Sequence, residues 1–353
     1  MKFAVGYQTP QNGERFSDIV KTYREHISEV YFAWPGMASG RPTGGIQDWG
    51  AQRRLEEELS TLRRMGVKLD LLLNGNCYGG DAISAGLQEA VIGLLEYLAA
   101  HGCCPEIVTT TSPFIAHIIK EACDDIEIRA SVNMRIGTLQ ALEYASVYFD
   151  SFYLQRDYQR DLDYVRRISR WAEEKGKKIC MLANSGCLRF CPSQTFHDNL
   201  IAHSHEAENR KIPGEDDIAA RFMPGYAPWN PHLCRTIYSD PKNYVEFLKE
   251  TWIRPEDLNR YAGLVDVVKL ATRQHSHPRM VLGAYCGQKF DGNLLELMEP
   301  GFASQFFPHY IDNSKFPPDW AERSGKCTQG CTGCGYCEEV LKHVLCSYDP
   351  SFA

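Results

Sequence analysis

Short apolar runs rich in β-forming residues alternate along the chain with longer amphipathic stretches. The repeat distances of apolar side chains indicate strands in the short runs and helices in the longer ones. The clearest helical stretches are residues 51–65, 82–100, 160–175 and 242–249. The candidate strands are residues 3–8, 29–34, 68–74, 106–110, 127–132, 151–155, 178–183 and 266–271.

Strands that alternate with helices predict a parallel sheet. Eight such units over about 290 residues fit a closed (β/α)8 barrel better than an open sheet. We therefore expect an α/β fold in which residues 1–290 form a TIM-like barrel. Residues 291–353 would form a small cysteine-rich tail. The connection at about 184–240 is too long for a plain loop, and long segments of this kind are usually lids or ligand-binding loops.

Polar residues follow most of the predicted strands, and in such a barrel the chemistry lies at the carboxyl ends of the strands. Arginine binds carboxylates with two parallel hydrogen bonds, so Arg41, Arg156 and Arg273 are candidates to hold an anionic substrate; structural salt bridges are the alternative. We expect catalytic roles for Asn133, Arg156, Lys269 and Arg273, and cofactor-binding roles for Arg41, Asn74 and Asn184.

Four cysteines lie within eleven residues of the tail, in the spacing C-x3-C-x2-C-x2-C. Small residues between them let the backbone wrap around a compact centre. Structural zinc sites usually split into two separated pairs, so continuous spacing favours a [4Fe–4S] cluster, with zinc or a metal-free tail as the alternatives. The first three also match the spacing of radical-SAM enzymes, but no barrel follows them here. The predicted ligands are Cys327, Cys331, Cys334 and Cys337.

A second group of cysteines lies in the long connection. Cys187 and Cys191 form a C-x3-C pair, and Cys234 follows in another loop-like setting. Three thiolates need a fourth ligand for a closed cluster, and Cys77, after the third strand, is the candidate. The chain would then hold one or two [4Fe–4S] clusters; close buried thiols or a zinc site are the alternatives.

Three histidines, His197, His203 and His205, follow Cys191 closely. Each is a candidate metal ligand or proton donor, and a helix-face or core position is the alternative. We retain His197 among the expected catalytic residues.

Composition narrows the class of protein. The net charge of −7 gives no overall basic field for nucleic acid, so a small-molecule substrate is favoured. The amino terminus has no signal-peptide pattern, and no apolar stretch approaches the roughly 20 residues that span a bilayer. We expect a cytoplasmic protein, in which the fourteen cysteines stay reduced and serve metal binding, catalysis or burial.

The order of several motifs resembles the collagenase-like peptidase family U32. The stretch Leu154-Gln-Arg156-Asp157 resembles that family's L-x-R-E-L, and Ser131-Val-Asn133-Met134 resembles its S-x-Q-M/L-N. Residues 266–273 resemble its G-V-D-x-x-K-I-E-G-R, although Ala271 and Thr272 replace the glutamate and glycine of that pattern, and Asn133 replaces the usual glutamine. The tail is an addition to the family pattern.

The resemblance extends to the UbiU and UbiV proteins and bacterial RNA hydroxylases of this family. It implies oxygen-independent hydroxylation, or a related oxygen-atom or electron transfer, supported by [4Fe–4S] clusters. A prephenate-like oxygen donor would suit the strand-end arginines. A protein electron donor or a homologous partner subunit is also implied. Two alternatives belong to other classes: a peptidase or hydrolase, as the family name says, and a non-catalytic iron–sulfur carrier.

Overall fold

A computed structural model describes residues 1–8, 13–41, 48–203, 230–327, 331 and 333–349 of the chain. Eight strands form a closed parallel barrel in chain order, which confirms the predicted (β/α)8 fold. The strands are β1 Phe3–Gly6, β2 Ile27–Ala33, β3 Lys68–Leu73, β4 Ile107–Thr110, β5 Glu127–Ala130, β6 Ser151–Tyr153, β7 Lys178–Leu182 and β8 Val267–Leu270.

Helices follow most of the strands. In the first part of the chain they are α1 Phe16–Thr22, α2 Trp49–Arg64, α3 Ala85–Ala100, α4 Pro113–Ala122, α5 Leu139–Ala145, α6 Leu162–Lys175 and α7 Gln194–Ala202. The later helices are α8 Leu233–Tyr238, α9 Val245–Leu248, α10 Pro278–Gly287, α11 Ala303–Phe306, α12 Trp320–Gly325 and α13 Tyr336–Val344. Two further strands, β9 His309–Ile311 and β10 Leu345–Ser347, pair antiparallel.

Local sequence explains where the strands and helices lie. Every residue of β1, β4, β6 and β8 is buried, as expected for parallel strands covered on both faces, which read as near-continuous apolar runs. Several helices begin at a residue whose side-chain oxygen accepts hydrogen bonds from the first-turn N–H groups, which would otherwise lack partners. These capping residues are Asp48, Ser84, Ser112, Thr138 and Asp161.

The chain divides into two compact units. The first consists of residues 1–6, 154–191 and 232–353, and the second of residues 7–153 and 192–231. The first unit contains β1, β7, β8 and the cysteine-rich tail. The predicted division at residue 290 stays a prediction. Within the described residues, no helix is both long and apolar enough to cross a membrane.

A buried ionic network lies within the second unit. Arg129 of β5, which is 1% exposed, donates two hydrogen bonds to the carboxylate of Glu29, at 2.6 and 3.0 Å. Its Nη2 also donates to Glu127 at 2.7 Å, and its Nε donates to Ser151 Oγ at 3.0 Å. Asp70, at 0% exposure, lies 3.8 Å from Arg129 Nη1. The network thus joins residues of β2, β5 and β6 by charged hydrogen bonds and reaches β3 through the ion pair with Asp70.

Candidate functional site

Polar side chains at the ends of β3 and β5 meet within the second unit. Asn74 Nδ2 donates to Ser131 Oγ at 3.3 Å, and Asn74 Oδ1 accepts from the backbone N–H of Gly40 at 2.9 Å. The N–H of Asn133 donates to the same Ser131 hydroxyl at 3.3 Å. The structure therefore groups Asn74 and Asn133 beside the loop that carries Arg41.

Arg156 is the central side chain of a second group of polar residues, which lies in the first unit. It lies directly after β6 and is 8% exposed. Its Nη1 donates to Ser185 Oγ at 3.0 Å and to Cys187 Sγ at 3.2 Å, two groups that follow β7. Sequence analysis named Arg156 and Cys187 separately and missed Ser185. Arg156 thus brings a positively charged donor into hydrogen-bond contact with the sulfur of Cys187, in the segments that follow β6 and β7.

The loop that carries Cys187 and Cys191 is held in shape by Asp157. The Oδ1 atom of Asp157 accepts from the N–H of Phe190 at 2.5 Å, and its Oδ2 accepts from Gln155 Nε2 at 2.8 Å. Phe190 has a φ of 55°, an uncommon conformation for a bulky residue. Because the Asp157 hydrogen bond fixes this strained position, the loop presents its two thiols in a defined arrangement.

Cys234, in α8, interacts electrostatically with the thiols of Cys187 and Cys191. Burial is the main reason that its pKa is raised to about 12, and the charges of Cys187, Glu250 and Cys191 contribute to that rise. Cys234 therefore lies within electrostatic range of both other cysteines of the group.

Sequence analysis missed Glu250, a fully buried carboxyl beside this group. Tyr238 donates a hydrogen bond from its hydroxyl to Glu250 Oε1 at 2.6 Å, while Oε2 is buried without a hydrogen-bond partner. Burial is the main reason that the pKa of Glu250 lies well above its usual range, and the charge of Cys187 adds to the effect. Residues 245–253 contain three charged residues, so the sequence pattern does not single out Glu250.

Asn184 has a structural position. It is 0% exposed, and its Nδ2 donates to the carbonyls of Leu297 at 2.9 Å and Ala271 at 3.2 Å. Its Oδ1 accepts from the Ala271 N–H at 2.6 Å. The side chain thus ties the end of β7 to the residue after β8. Its predicted contact with a cofactor stays a prediction.

Replacing Asn184 by alanine is expected to destabilise the protein by at least about 1–3 kcal/mol, because buried backbone groups of Ala271 and Leu297 lose their partner. Urea denaturation measures the change. The exposed Asn259, replaced by alanine, should stay within about 0.5 kcal/mol of the wild type. A loss of activity at unchanged stability would instead support the predicted cofactor contact.

The other predicted residues are spread over both units. Lys269 is buried in β8 and Arg273 is half-buried after it, in the first unit. His197 is half-buried in α7, and Cys77 is half-buried in the loop after β3 where it accepts from the Gly79 N–H at 3.4 Å; both belong to the second unit. His205 lies outside the described residues. Catalytic and ligand roles for these side chains stay predictions.

The tail cysteines differ in exposure. Cys327, Cys331 and Cys334 are exposed, whereas Cys337 is half-buried. In the part of the chain that the structure describes, no three His, Cys, Asp or Glu side chains come close enough to hold one metal ion. A single zinc ion draws its sulfur ligands to about 2.3 Å from itself. The predicted role of the tail cysteines as metal ligands stays a prediction.

Comparisons with known proteins support the resemblance to peptidase family U32. No family model matches the chain. A Methanocaldococcus jannaschii protein named uncharacterized protease MJ1657 is 26% identical over 337 residues, covering 93% of this chain and 91% of that protein. The structure of the U32 peptidase Mk0906 is similar with a TM-score of 0.50 and 14% identity, covering 76% of this chain and 92% of that one. The latter similarity shows the barrel fold; the finer resemblance to UbiU and UbiV stays a prediction.

Proposed function

We propose that the chain is an enzyme of the U32 peptidase type that hydrolyses amide bonds, with Arg156 and Cys187 as its reactive pair. The observation that carries this proposal is the 3.2 Å hydrogen bond from Arg156 Nη1 to Cys187 Sγ at the carboxyl ends of β6 and β7. Active sites of (β/α)8 enzymes lie at this end of the barrel. The names of the relative MJ1657 and the neighbour Mk0906, a protease and a peptidase, support hydrolysis over redox chemistry.

Each residue of the pair has a distinct role. Arg156 donates a hydrogen bond to the sulfur of Cys187, and the thiolate form of a cysteine is the one that attacks carbonyl carbon. The sulfur of Cys187 would bond to the acyl carbon, the carbon–nitrogen bond would break, and the leaving amine would take a proton from water. A second water would then release the acid from the thioester. Ser185, bonded to Arg156 at 3.0 Å, keeps the guanidinium in position.

A second candidate function is favoured by the grouping of three thiols. Cys234 lies within electrostatic range of Cys187 and Cys191, and such a set suits a metal centre better than isolated nucleophiles. These residues would supply three of the ligands of a [4Fe–4S] cluster. The cluster would supply electron transfer or a Lewis-acidic iron. Arg156 would then orient an anionic substrate, and the oxygen-independent hydroxylation with a prephenate-like donor, implied by the sequence resemblance, belongs to this candidate.

The test compares Arg156→Gln with the exposed control Arg166→Gln. Loss of a charged hydrogen-bond donor from the reacting group should lower kcat for hydrolysis by about 10²–10³-fold, while the control stays near the wild type. The assay uses the purified full chain and a mixture of unstructured peptides. It is run on protein as isolated, after iron chelation and after anaerobic reconstitution with iron and sulfide.

The three preparations separate the candidates. Hydrolysis that survives chelation and falls in Arg156→Gln supports the amide hydrolase. Absence of hydrolysis in all three wild-type preparations rejects it. Iron bound by the wild type and lost from a Cys187→Ser variant supports the second candidate instead.

A further inference from the structure

We propose that Lys315 and Cys346 form a reversible covalent cross-link, in which one oxygen atom bridges the lysine nitrogen and the cysteine sulfur. Hydrogen peroxide makes the link and thiols break it. Both residues belong to the first unit, and they flank the segment that carries the four tail cysteines. This inference goes beyond the proposed function and does not depend on it.

The side-chain nitrogen of Lys315 lies against the sulfur of Cys346. The distance from Lys315 Nζ to Cys346 Sγ is 3.0 Å, although the two residues are 31 positions apart in the chain. The hydrogen bond from Arg156 Nη1 to Cys187 Sγ is longer, at 3.2 Å. An oxygen bridge spans two bonds, so nitrogen and sulfur have to approach less than they would for a direct bond between them. The contact therefore suits an oxygen bridge.

The backbone around Lys315 is fixed by hydrogen bonds. Lys315 ends the short 3-10 turn Asn313–Lys315, and the side chain of Asn313 donates to the carbonyl of Phe290 at 2.7 Å. The N–H of Lys315 donates to the carbonyl of Asp312 at 3.2 Å. The carboxylate of Asp312 also lies 3.6 Å from Lys315 Nζ. The lysine nitrogen is thus held between a carboxylate and the thiol.

The position of Cys346 is set by the pairing of β9 with β10. Its Cα partner in the antiparallel pair is Tyr310. The N–H of Asp312 donates to the carbonyl of Val344 at 2.8 Å, which joins the residue before the 3-10 turn to the residue before β10. Because the backbone is fixed on both sides, the lysine nitrogen and the thiol meet without any rearrangement of the main chain.

Both reacting groups are accessible to a small oxidant. The side chain of Lys315 is 49% exposed, and Cys346 is half-buried. Cys103 and Cys180, in contrast, are buried. Oxidation of cysteine depends on how far the thiol is exposed, so Cys346 can react where the buried thiols are protected.

The cross-link forms in two steps. In the first, the sulfur of Cys346 bonds to one oxygen of hydrogen peroxide and the O–O bond breaks, which gives a sulfenic acid and water. In the second, the neutral amine of Lys315 bonds to the sulfenic oxygen, while one N–H bond and one O–H bond break. The two electrons and two protons released there reduce a second hydrogen peroxide to two waters. Two equivalents of a dithiol reverse both steps and release the bridging oxygen as water.

The cross-link would close the tail into a covalent loop. The segment between Lys315 and Cys346 contains α12, α13 and the four tail cysteines. A covalent link across such a segment removes open conformations of the chain, as a disulfide does. Peroxide would therefore make this part of the chain harder to open, and thiols would restore its original behaviour.

The first test is a tryptic peptide map of the full chain, treated with hydrogen peroxide and then alkylated at its free thiols. The cross-link blocks cleavage after Lys315, so residues 290–323 should remain joined to residues 343–353. The mass of the joined peptide should exceed the sum of the two unmodified peptides by one oxygen atom less two hydrogen atoms. Dithiothreitol, added before digestion, should abolish the joined peptide.

Two variants and a control identify the bonded atoms. Lys315→Arg keeps the positive charge but lacks the amine, and Cys346→Ser lacks the thiol, so neither should give the joined peptide. The exposed Lys342, replaced by arginine, keeps a tryptic cleavage site and should give as much of it as the wild type. A joined peptide without the added oxygen would show a direct nitrogen–sulfur bond. Absence of a joined peptide while Cys346 is oxidised to a sulfinic acid would show an ordinary reactive thiol, and either result overturns the proposal.

The second test is amide hydrogen exchange of β10, measured on the cross-linked and the reduced protein. Because the link holds β10 to the turn that follows β9, its amides should exchange about tenfold more slowly in the cross-linked protein. Lys315→Arg, treated with the same peroxide, is the matched control and should exchange at one rate before and after treatment. Equal rates for the two forms of the wild type would contradict closure of the tail. Both readouts are independent of hydrolysis, so failure of the proposed function leaves them unaffected.

Discussion

Replacing Cys187 by serine should lower the rate of amide hydrolysis by at least about 10³-fold, because a serine hydroxyl is a poor nucleophile without a general base. The Arg156 hydrogen bond that reaches Cys187 Sγ at 3.2 Å has no comparable effect on a neutral hydroxyl. Steady-state kinetics on the full chain measures the loss. Cys123→Ser, a half-buried cysteine at the end of α4, is the control for general effects of removing a thiol.

Parallel variants of Cys191 and Cys234 make this experiment decisive between the two candidate functions. If Cys187 is a nucleophile, Cys191→Ser and Cys234→Ser should retain most of the activity, since neither thiol attacks the substrate. If the three thiols hold a cluster, all three variants should lose iron and activity together. Cys187→Ser with full activity and unchanged iron content would contradict both functions.

Much of the fold could be predicted because parallel strands covered on both faces have a distinctive sequence. All eight barrel strands were found in order, although several end one or two residues earlier than expected; β6, predicted over 151–155, is Ser151–Tyr153. Strand ends are hard to locate because the polar residues that follow, such as Gln155 and Arg156, are buried at the barrel end. The pattern of apolar residues alone does not show whether such buried polar residues still belong to the strand or already lie beyond its end.

The candidate site could be predicted only as separate residues. The positions of Arg156 and Cys187 after predicted strands make both of them candidates, but the hydrogen bond between them joins residues 31 positions apart, which the sequence pattern does not bring together. Glu250 was missed because it lies outside a strand end and is buried in the folded chain. The grouping of Cys187, Cys191 and Cys234 as metal ligands, predicted from the sequence, stays a prediction.

The Arg129 network was also missed, although the sequence contained its signal. Asp70 stands among leucines in β3, and Arg129 lies between Ile128 and Ala130 in β5. Charged residues at buried positions of this kind are rare unless they are paired. The pairing follows from register: Thr109 and Ser151 are the Cα partners of Arg129 in the neighbouring strands. Sequence alone does not give this register. The consequence is a strong expectation about stability.

Replacing Arg129 by methionine should lower the free energy of unfolding by about 3–5 kcal/mol, because it leaves buried carboxylates without their cationic partner. Methionine preserves much of the side-chain volume, so the loss reflects charge rather than a cavity. The matched control is Arg63→Met, since Arg63 forms an exposed ion pair with Glu106 at 3.0 Å. Exposed pairs contribute about 0–1 kcal/mol, so the control should remain close to the wild type.

Chemical denaturation measures the free energy of unfolding of the two variants. A further variant identifies the cause of the expected loss of stability in Arg129→Met. Replacing Glu29 by glutamine in the Arg129→Met background removes one of the buried negative charges that lost its partner. The double variant should therefore be more stable than Arg129→Met alone. A second substitution in a protein core would ordinarily lower stability further. Equal losses in Arg129→Met and Arg63→Met would show that the network adds no more than an exposed ion pair. A double variant less stable than the single one would instead show that lost packing causes the loss of stability.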